Sequence, residues 1–461
     1  MSTSTLYAPP RPPVPNGELG WYRLLKTLRG NALEIWPERA YEQELLINRF
    51  FGRQRVLLNA PDAIHHVLVE NAANYRRSPA SIRILRPIVG RGLFLSEGEE
   101  WKHQRRTIAP ALAPRVMPLL ARHVVLAAED AATLLAAESG KPVDMLAAMQ
   151  FLALEIAGRS MFSLEMRQQG AALRTMIADF GRRLGRPYLL DMLLPPSIPT
   201  LRDLARDRFR RRWERMMDTI IADRLAEPAP AAARDLLDIL RAARDPETGE
   251  AFSREQLRDQ VSTLIVAGHE TTALTLFWAL YLLANAPAEQ QRLADEAARV
   301  EITVDSADKA LPALSYTRAV VSEALRLYPP AFVMVRQAIG ADRWGDVSIP
   351  AGSLVMIAPW VLHRHRRYWV NPDSFDPSRF LEGAPAVPRL AYLPFGTGPR
   401  VCVGAQFALT EAILVLAILM KRFDVSLVPG QPVLPAAVVT TQPDHPALFH
   451  LRPRGPAARA P

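Results

Sequence analysis

The sequence predicts a mostly α-helical fold with small β-sheets, built as one unit over residues 1–461. Three observations predict it. Apolar residues recur with a spacing near 3.6 across 116–137, 142–162, 200–225, 253–285 and 403–421, the period of helices that bury a face. Short β-prone pieces are confined to 44–59, 333–339, 346–357 and the tail from Phe423 to Arg454. No internal repeat interrupts them, nor any linker long enough to separate domains, and 49% apolar residues supply a large core.

In chain order, residues 1–20 are a Pro-rich, irregular extension. They hold no apolar core segment, so they read as neither a secretion signal nor an anchor. Residues 44–59 form a hairpin turning at Gly52. From about Pro61 to Lys421 the pattern is mostly helical, with breaks at Pro195-Pro196, at 226–233 and at Pro287. Residues 188–199 are an apolar stretch, either a lid or a plain interhelical turn. The element at 253–285 stands apart. Ser253 with Gln256 makes a capping box, and a helix of that span is roughly 50 Å long, enough to cross the molecule. In its middle, Ala267-Gly268-His269-Glu270-Thr271-Thr272 sits between apolar flanks. A glycine inside a helix costs about 1 kcal/mol, and a buried carboxylate must find a partner or lose its charge.

Composition limits the function. Cys402 is the only cysteine, which excludes a disulfide framework and a Cys-rich metal cluster and suits a reducing, cytoplasmic compartment. The stretch 261–286 carries His269 and Glu270, and 412–420 is too short to span a bilayer. The net charge of +9 calls for an acidic partner. Nucleic acid is disfavoured, since the arginine-rich segment 202–215 interleaves Asp203, Asp207 and Glu214.

The sharpest signal is Phe395-Gly396-Thr397-Gly398-Pro399-Arg400-Val401-Cys402-Val403-Gly404, followed at once by an apolar helix. Gly396 and Gly398 permit turns that a side chain would forbid. Cys402 lies just before a helix N-terminus, where the dipole and nearby Arg400 favour a thiolate. This segment resembles the haem-binding loop of the cytochrome P-450 superfamily, Phe-Gly-x-Gly-x-Arg-x-Cys-x-Gly, at all six fixed positions. Four further segments resemble family motifs in order. They are Trp101 with Arg105, Ala267 to Thr272, Glu323 to Arg326, and Pro377 to Phe380 with Arg379.

The resemblance implies a cytochrome P-450 fold whose long helix crosses over haem b, with Cys402 as the axial thiolate. Trp101, Arg105, Arg336 and Arg400 are implied to hold the propionates, with Phe395, Gly396 and Gly404 beside the macrocycle and Ala267 on the dioxygen side. Glu270 and Thr271 are implied to form an acid–alcohol pair for proton delivery. Glu323, Arg326 and Arg379 are implied to form a buried structural triad, whereas Glu255/Arg258, Glu289/Arg292 and Glu296/Arg299 read as surface pairs. His103 and His363 read as surface histidines. By analogy, residues 81–95, Ile265, Ala267, 331–335 and 439–441 face an apolar substrate.

The reaction implied is monooxygenation, with electrons from an acidic ferredoxin and its NAD(P)H-dependent reductase. The ferredoxin would meet Lys102, Arg106, Arg364, Arg366, Arg367, Lys421 and Arg422. Peroxide-using or isomerising haem-thiolate enzymes, which typically lack the acid–alcohol pair, and haem-based sensors are the rival classes.

Overall fold

The computed structural model describes residues 6–50, 52–163, 170–195, 197–228 and 230–455. Its main helices are α1 (Trp21–Gly30), α2 (Pro79–Val89), α3 (Gly98–Ile108), α4 (Met117–Ala137), α5 (Met145–Phe162), α6 (Leu201–Ala226), α7 (Arg254–Ala284), α8 (Ser315–Leu327) and α9 (Ala405–Arg422). The five periodic stretches of the sequence coincide with α4, α5, α6, α7 and α9.

Helix α7 starts as its capping box requires. The Ser253 hydroxyl accepts the Gln256 N–H at 3.2 Å, and the Gln256 side chain accepts the Ser253 N–H at 2.9 Å. Pro287 does not simply end this helix. The chain leaves α7 at Asn285, and Pro287 opens the following helix, Pro287–Arg299, where its fixed φ and missing N–H cost nothing. The C-terminal half of α7, from Ala273 to Leu283, is buried throughout. It packs through Phe277 and through Trp278, whose ring stacks on Tyr328 at 3.9 Å. Around it lie α5, α8 and α9, so the middle of α7 is held rigidly at the centre. Among the described residues, α5 alone is long and apolar enough to cross a membrane, and most of it is buried inside the fold.

The main sheet contains β1 (Leu45–Phe50), β2 (Arg53–Leu58), β3 (Tyr75–Arg77), β4 (Met334–Ala338) and β5 (Leu354–Ile357), in the order β1-β2-β5-β4-β3. Gly52, at φ +76°, makes the turn between β1 and β2. The register of β3 on β4 sets Arg77 directly opposite Arg336, a position in which like charges repel. Strands Phe423–Leu427, Leu448–Pro453 and Val143–Asp144 form a smaller sheet under the tail.

Residues 6–20 contain neither helix nor strand, yet they are docked. The Tyr7 carbonyl accepts the Phe375 N–H at 2.8 Å, and Arg11 pairs with Asp373 at 3.2 Å. The apolar stretch around 188–199 contains one short helix, Leu189–Leu193. It is tethered rather than loose: Asp191 takes two bonds from Arg206 at 2.7 and 2.9 Å, and the Arg83 guanidinium donates to the Leu194 and Pro195 carbonyls at 3.2 Å each. Pro196 lies outside the described residues.

Candidate active site

The Cys402 loop is shaped by its glycines. Gly396 and Gly398 have φ of +70° and +73°, a region only glycine enters without strain. At Gly398 a Cβ would also collide with the Leu68 carbonyl. The loop closes on itself where Cys402 N–H donates to the Phe395 carbonyl at 2.9 Å. Gly404 is the N-cap of α9, and a Cβ on it would meet nothing within 4 Å. Burial pushes the Cys402 thiol up, while the Gly404 N–H and Arg105 pull it down. The cation acting on the sulfur is therefore Arg105, not Arg400. Arg105 is aimed by its own bond to the Val401 carbonyl at 2.8 Å.

Arg400 faces the other way. It donates to the Ser96 carbonyl at 2.7 Å, pairs with Glu97, and lies over the Trp101 ring with its guanidinium carbon 4.2 Å from the centroid. Arg336 and Arg77 join it. Burial, together with charge on Arg336 and Arg400, lowers Arg77 to about 9, and Glu97 is the opposing anion for Arg77, Arg336 and Arg400 alike. Three guanidinium groups, that of Arg336 buried and those of Arg77 and Arg400 partly so, thus share one carboxylate, and Arg77 Nε, buried, has no hydrogen-bond partner. Desolvated cations in excess of anions are unfavourable unless a further anion joins them. The two propionates of haem are such anions, so the donor set fits the group. Arg77 and Glu97 carry no local sequence signal, because only the strand register brings Arg77 against Arg336.

Central helix α7 supplies the opposite wall. A Cβ on Gly268 would meet nothing within 4 Å, and Ala267 is exposed, so the helix is open here. The Thr271 hydroxyl donates to the Ala267 carbonyl at 2.6 Å. Glu270 is half-buried and does not bond Thr271. It accepts the Thr440 hydroxyl at 2.9 Å and the Gln442 amide. Burial raises its pKa, and these two neutral donors lower it only in part. Ile265 does not share the open face. It is packed in a core cluster with Leu257 and Val261, because positions 265 and 267 point about 200° apart on a helix.

Of the other segments expected around the cleft, 81–95 and 439–441 bond α7 directly, and the latter also bonds the residue just before 331–335. Thr263 Oγ1 donates to the Val89 carbonyl at 3.3 Å, and Leu93 N–H donates to Gln260 at 2.8 Å. Thr441 N–H donates to the Pro330 carbonyl at 3.2 Å, and the Trp278 indole donates to the Thr441 carbonyl at 2.9 Å.

The triad is present. Arg326 grips Glu323 through Nε at 2.6 Å and a terminal nitrogen at 2.8 Å, Arg379 approaches the same carboxylate at 3.4 Å, and both Glu323 and Arg326 are fully buried. The remaining Arg326 donors reach the His363, Pro372 and Ser374 carbonyls. His363 is no surface residue. Buried, it accepts the Leu393 N–H at 2.8 Å and faces the Arg326 carbonyl at 3.2 Å, linking α8 to the stretch of chain that leads into the Cys loop. His103 likewise bonds the buried Asp245 at 2.7 Å.

Among the described residues, none of the three pairs expected from spacing forms. Arg258 pairs with Asp218 and Asp259, not Glu255. Glu289 meets the Tyr316 hydroxyl, whose ring Arg292 covers, and Glu296 accepts the Tyr316 and Thr317 N–H groups at the start of α8. Spacing placed these charges on one helix, but neighbouring elements claimed them. The basic docking cluster is also absent as an uncompensated patch. Arg364 is buried, Lys102 pairs with Glu99, and Arg106 pairs with Asp245 and Glu247. Arg366 pairs with Glu38 and Glu42, Arg367 with Glu44, and Arg422 with Glu129, while Lys421 donates to the Val300 carbonyl.

In the sequence Glu411 reads only as the charged end of the apolar run 412–420, but the fold buries it. Glu411 on α9 accepts only the Thr272 hydroxyl, at 3.2 Å, and burial raises it from 4.5 to about 8. A carboxyl whose folded pKa is raised contributes stability at low pH and loses it as pH climbs from the unfolded to the folded value. Between those two values, unfolding free energy is expected to fall by on the order of 1 kcal/mol per pH unit from this group. Glu411→Gln should flatten that slope in urea titrations run across the interval. An unchanged slope would show that the carboxyl is solvated.

A helical body crossed by one long helix, with a glycine-turned cysteine loop and a clustered set of guanidiniums, defines a haem-thiolate protein. The family model described as Cytochrome P450 matches residues 25–446. Cyclooctatin synthase of Streptomyces melanosporofaciens is 35% identical over 381 residues, covering 81% of each chain. Cyclooctat-9-en-7-ol 5-monooxygenase of the same organism is 32% identical over 352 residues, 75% of each. Cytokinin hydroxylase of Arabidopsis thaliana is 30% identical over 414 residues, 87% of this chain and 79% of that one. The solved cytochrome P450DA heme domain superposes with a TM-score of 0.82 at 27% identity, over 98% of this chain and 99% of that chain. The chain belongs to the cytochrome P450 family, and it is a monooxygenase of that family.

Proposed function

We propose that this monooxygenase oxidises an apolar organic substrate with electrons from separate proteins, using the residues assembled above. Cys402 would bind the iron of haem b through its thiolate. Trp101, Arg105, Arg336 and Arg400, together with Arg77, hold the propionates. Phe395, Gly396 and Gly404 would lie beside the macrocycle, and Ala267 would leave room for dioxygen. The observation that carries this reading is the set of three largely desolvated guanidiniums sharing Glu97 next to the cysteine loop. Bound there, haem supplies oxygen activation, with the thiolate donating electron density to iron.

The protein's role is to place protons and exclude water. Thr271 donates its own hydrogen to the Ala267 carbonyl, leaving its oxygen free to accept a bond from water and so hold a proton source in place. Glu270, biased towards its protonated form by burial and steadied by Thr440 and Gln442, is a proton source one residue away. In this reading the aliphatic side chains of Ile82, Leu85, Val333, Val335 and Val439, none of them fully buried, would line the cleft and disfavour water around an apolar molecule. A relative named for acting on cyclooctat-9-en-7-ol, an unsaturated alcohol by its name, supports that substrate class.

The partner we propose is a small acidic ferredoxin kept reduced by an NAD(P)H-dependent reductase. The net charge of +9 supports it; the locally paired cations near the loop do not add to that support. Thr271→Ala is expected to keep substrate affinity while diverting most reducing equivalents to peroxide or water. Glu270→Gln should slow turnover about 10- to 100-fold with affinity unchanged, as when only a step after binding suffers. Product formed per NAD(P)H consumed measures both. Full coupling and rate in both variants would remove these two residues from proton delivery.

A further inference from the structure

We infer, on the reading of Glu270 as a proton source, that Thr440 and Gln442 are positioning residues for it: they hold one carboxyl oxygen so that the other carries the proton and releases it. Both donors end on the same atom. The Thr440 hydroxyl donates to Glu270 Oε1 at 2.9 Å, and the Gln442 amide donates to that oxygen too. Among the described residues Oε2 has no bond, and it is not sealed from water.

The hairpin of strands Pro435–Ala437 and Thr441–Pro443 builds in this asymmetry. Its anchor is Thr441, fully buried, whose N–H donates to the Pro330 carbonyl at 3.2 Å and whose hydroxyl donates to the Pro329 carbonyl at 2.7 Å. The Thr441 carbonyl accepts the Trp278 indole of α7 at 2.9 Å. Successive residues of an extended chain point opposite ways, so with the Thr441 side chain on Pro329 its two neighbours turn together towards Glu270. Gln442 also donates to Thr440 Oγ1 at 3.2 Å. A hydroxyl that accepts there has its own hydrogen left for Glu270.

A neutral carboxyl group has one oxygen that only accepts and one that carries the hydrogen. Two donors on Oε1 make it the accepting oxygen and leave the hydrogen to Oε2. When the Oε2–H bond breaks, its electron pair stays on the carboxylate and the proton passes to a water. The same two donors then steady the new charge, and a proton from bulk water restores the acid. Among the described residues no charged group acts on Glu270. The titratable groups nearby face elsewhere: His269 meets the Gln150 carbonyl, Glu411 the Thr272 hydroxyl and Asp444 the Leu434 N–H.

The experiment is an infrared titration of the haem-loaded protein, from acid to alkaline pH, that follows the C=O stretch of protonated carboxyl groups. The Glu270 band is the one that Glu270→Gln removes. Thr440→Val and Gln442→Leu should each move it to higher frequency and raise its midpoint by about one pH unit, because each removes a donor that favours the ionised form. Thr440→Ser, which keeps the hydroxyl, should restore both. The Glu411 band, assigned with Glu411→Gln, should stay in place, which a general loosening of the fold would not allow. A Glu270 band indifferent to both replacements would overturn the inference alone. So would a Glu411 band that moves with it, or a Thr440→Ser protein that behaves like Thr440→Val, since the two residues would then serve only the packing. If Glu270→Gln removes no band, the reading of Glu270 as a proton source falls as well, because a group that holds no proton supplies none.

Discussion

Cys402→His protein is expected to lose the thiolate-type spectrum of its reduced carbon monoxide complex and to oxidise substrate on the order of a thousandfold more slowly, about 4 kcal/mol in barrier. The physical reason is the charge of the ligand. A thiolate donates electron density that a neutral imidazole does not, and this donation favours O–O cleavage. The loop itself should survive the exchange. Its turns depend on Gly396 and Gly398 and on the Cys402 N–H bond to the Phe395 carbonyl, none of which involves the sulfur. Haem content measured alongside turnover separates loss of the cofactor from loss of its reactivity. Retained turnover with haem bound would exclude Cys402 as the axial ligand.

Glu323→Ala should be the most damaging change outside the cleft. It leaves Arg326, fully buried, facing backbone carbonyls only, and strips Arg379 and the Asp376 N–H of their shared acceptor. Breaking a buried pair from one side costs roughly 3–5 kcal/mol, a large share of the about 5–15 kcal/mol that a folded domain holds. The variant is therefore expected to accumulate as soluble holoprotein in greatly reduced amount. Glu323→Gln, which keeps shape and one acceptor, should be milder but still destabilised. Urea midpoints at constant slope measure the difference. A loss below about 1 kcal/mol in Glu323→Ala would mean that the carbonyl bonds alone satisfy Arg326.

How far the sequence carried depended on whether each feature was local. Gly396, Gly398, Cys402 and Gly404 work through the backbone of their own short loop, and their turns and cap were legible before any coordinates. The same holds for the Ser253–Gln256 capping box and for the five helices read from periodicity, since each is an interaction within one element. Glu323 and Arg326 are three residues apart on one helix, but that spacing alone did not single them out from Glu255 and Arg258; their resemblance to a family motif, with Arg379 further on, did.

Side-chain partners across elements were another matter. The sequence paired Glu255 with Arg258 and set Arg400 beside the sulfur; the fold gave Arg258 to Asp218, Arg400 to Glu97, and the sulfur to Arg105. It read His363 as a surface residue, and the fold buried it between Arg326 and Leu393. Glu270 was visible as an acid in an apolar helix, but its bond to Thr440 joins residues 170 positions apart.

By itself, then, the sequence determined the helices, the cysteine loop and the family they resemble, because backbone period, glycine conformation and capping act over a few residues. The tertiary structure alone decided which charges meet. Arg77, Arg336 and Arg400 crowd around Glu97 only because strand register and helix packing bring distant segments into the same buried space, where an unshielded charge must be answered by whatever lies within reach.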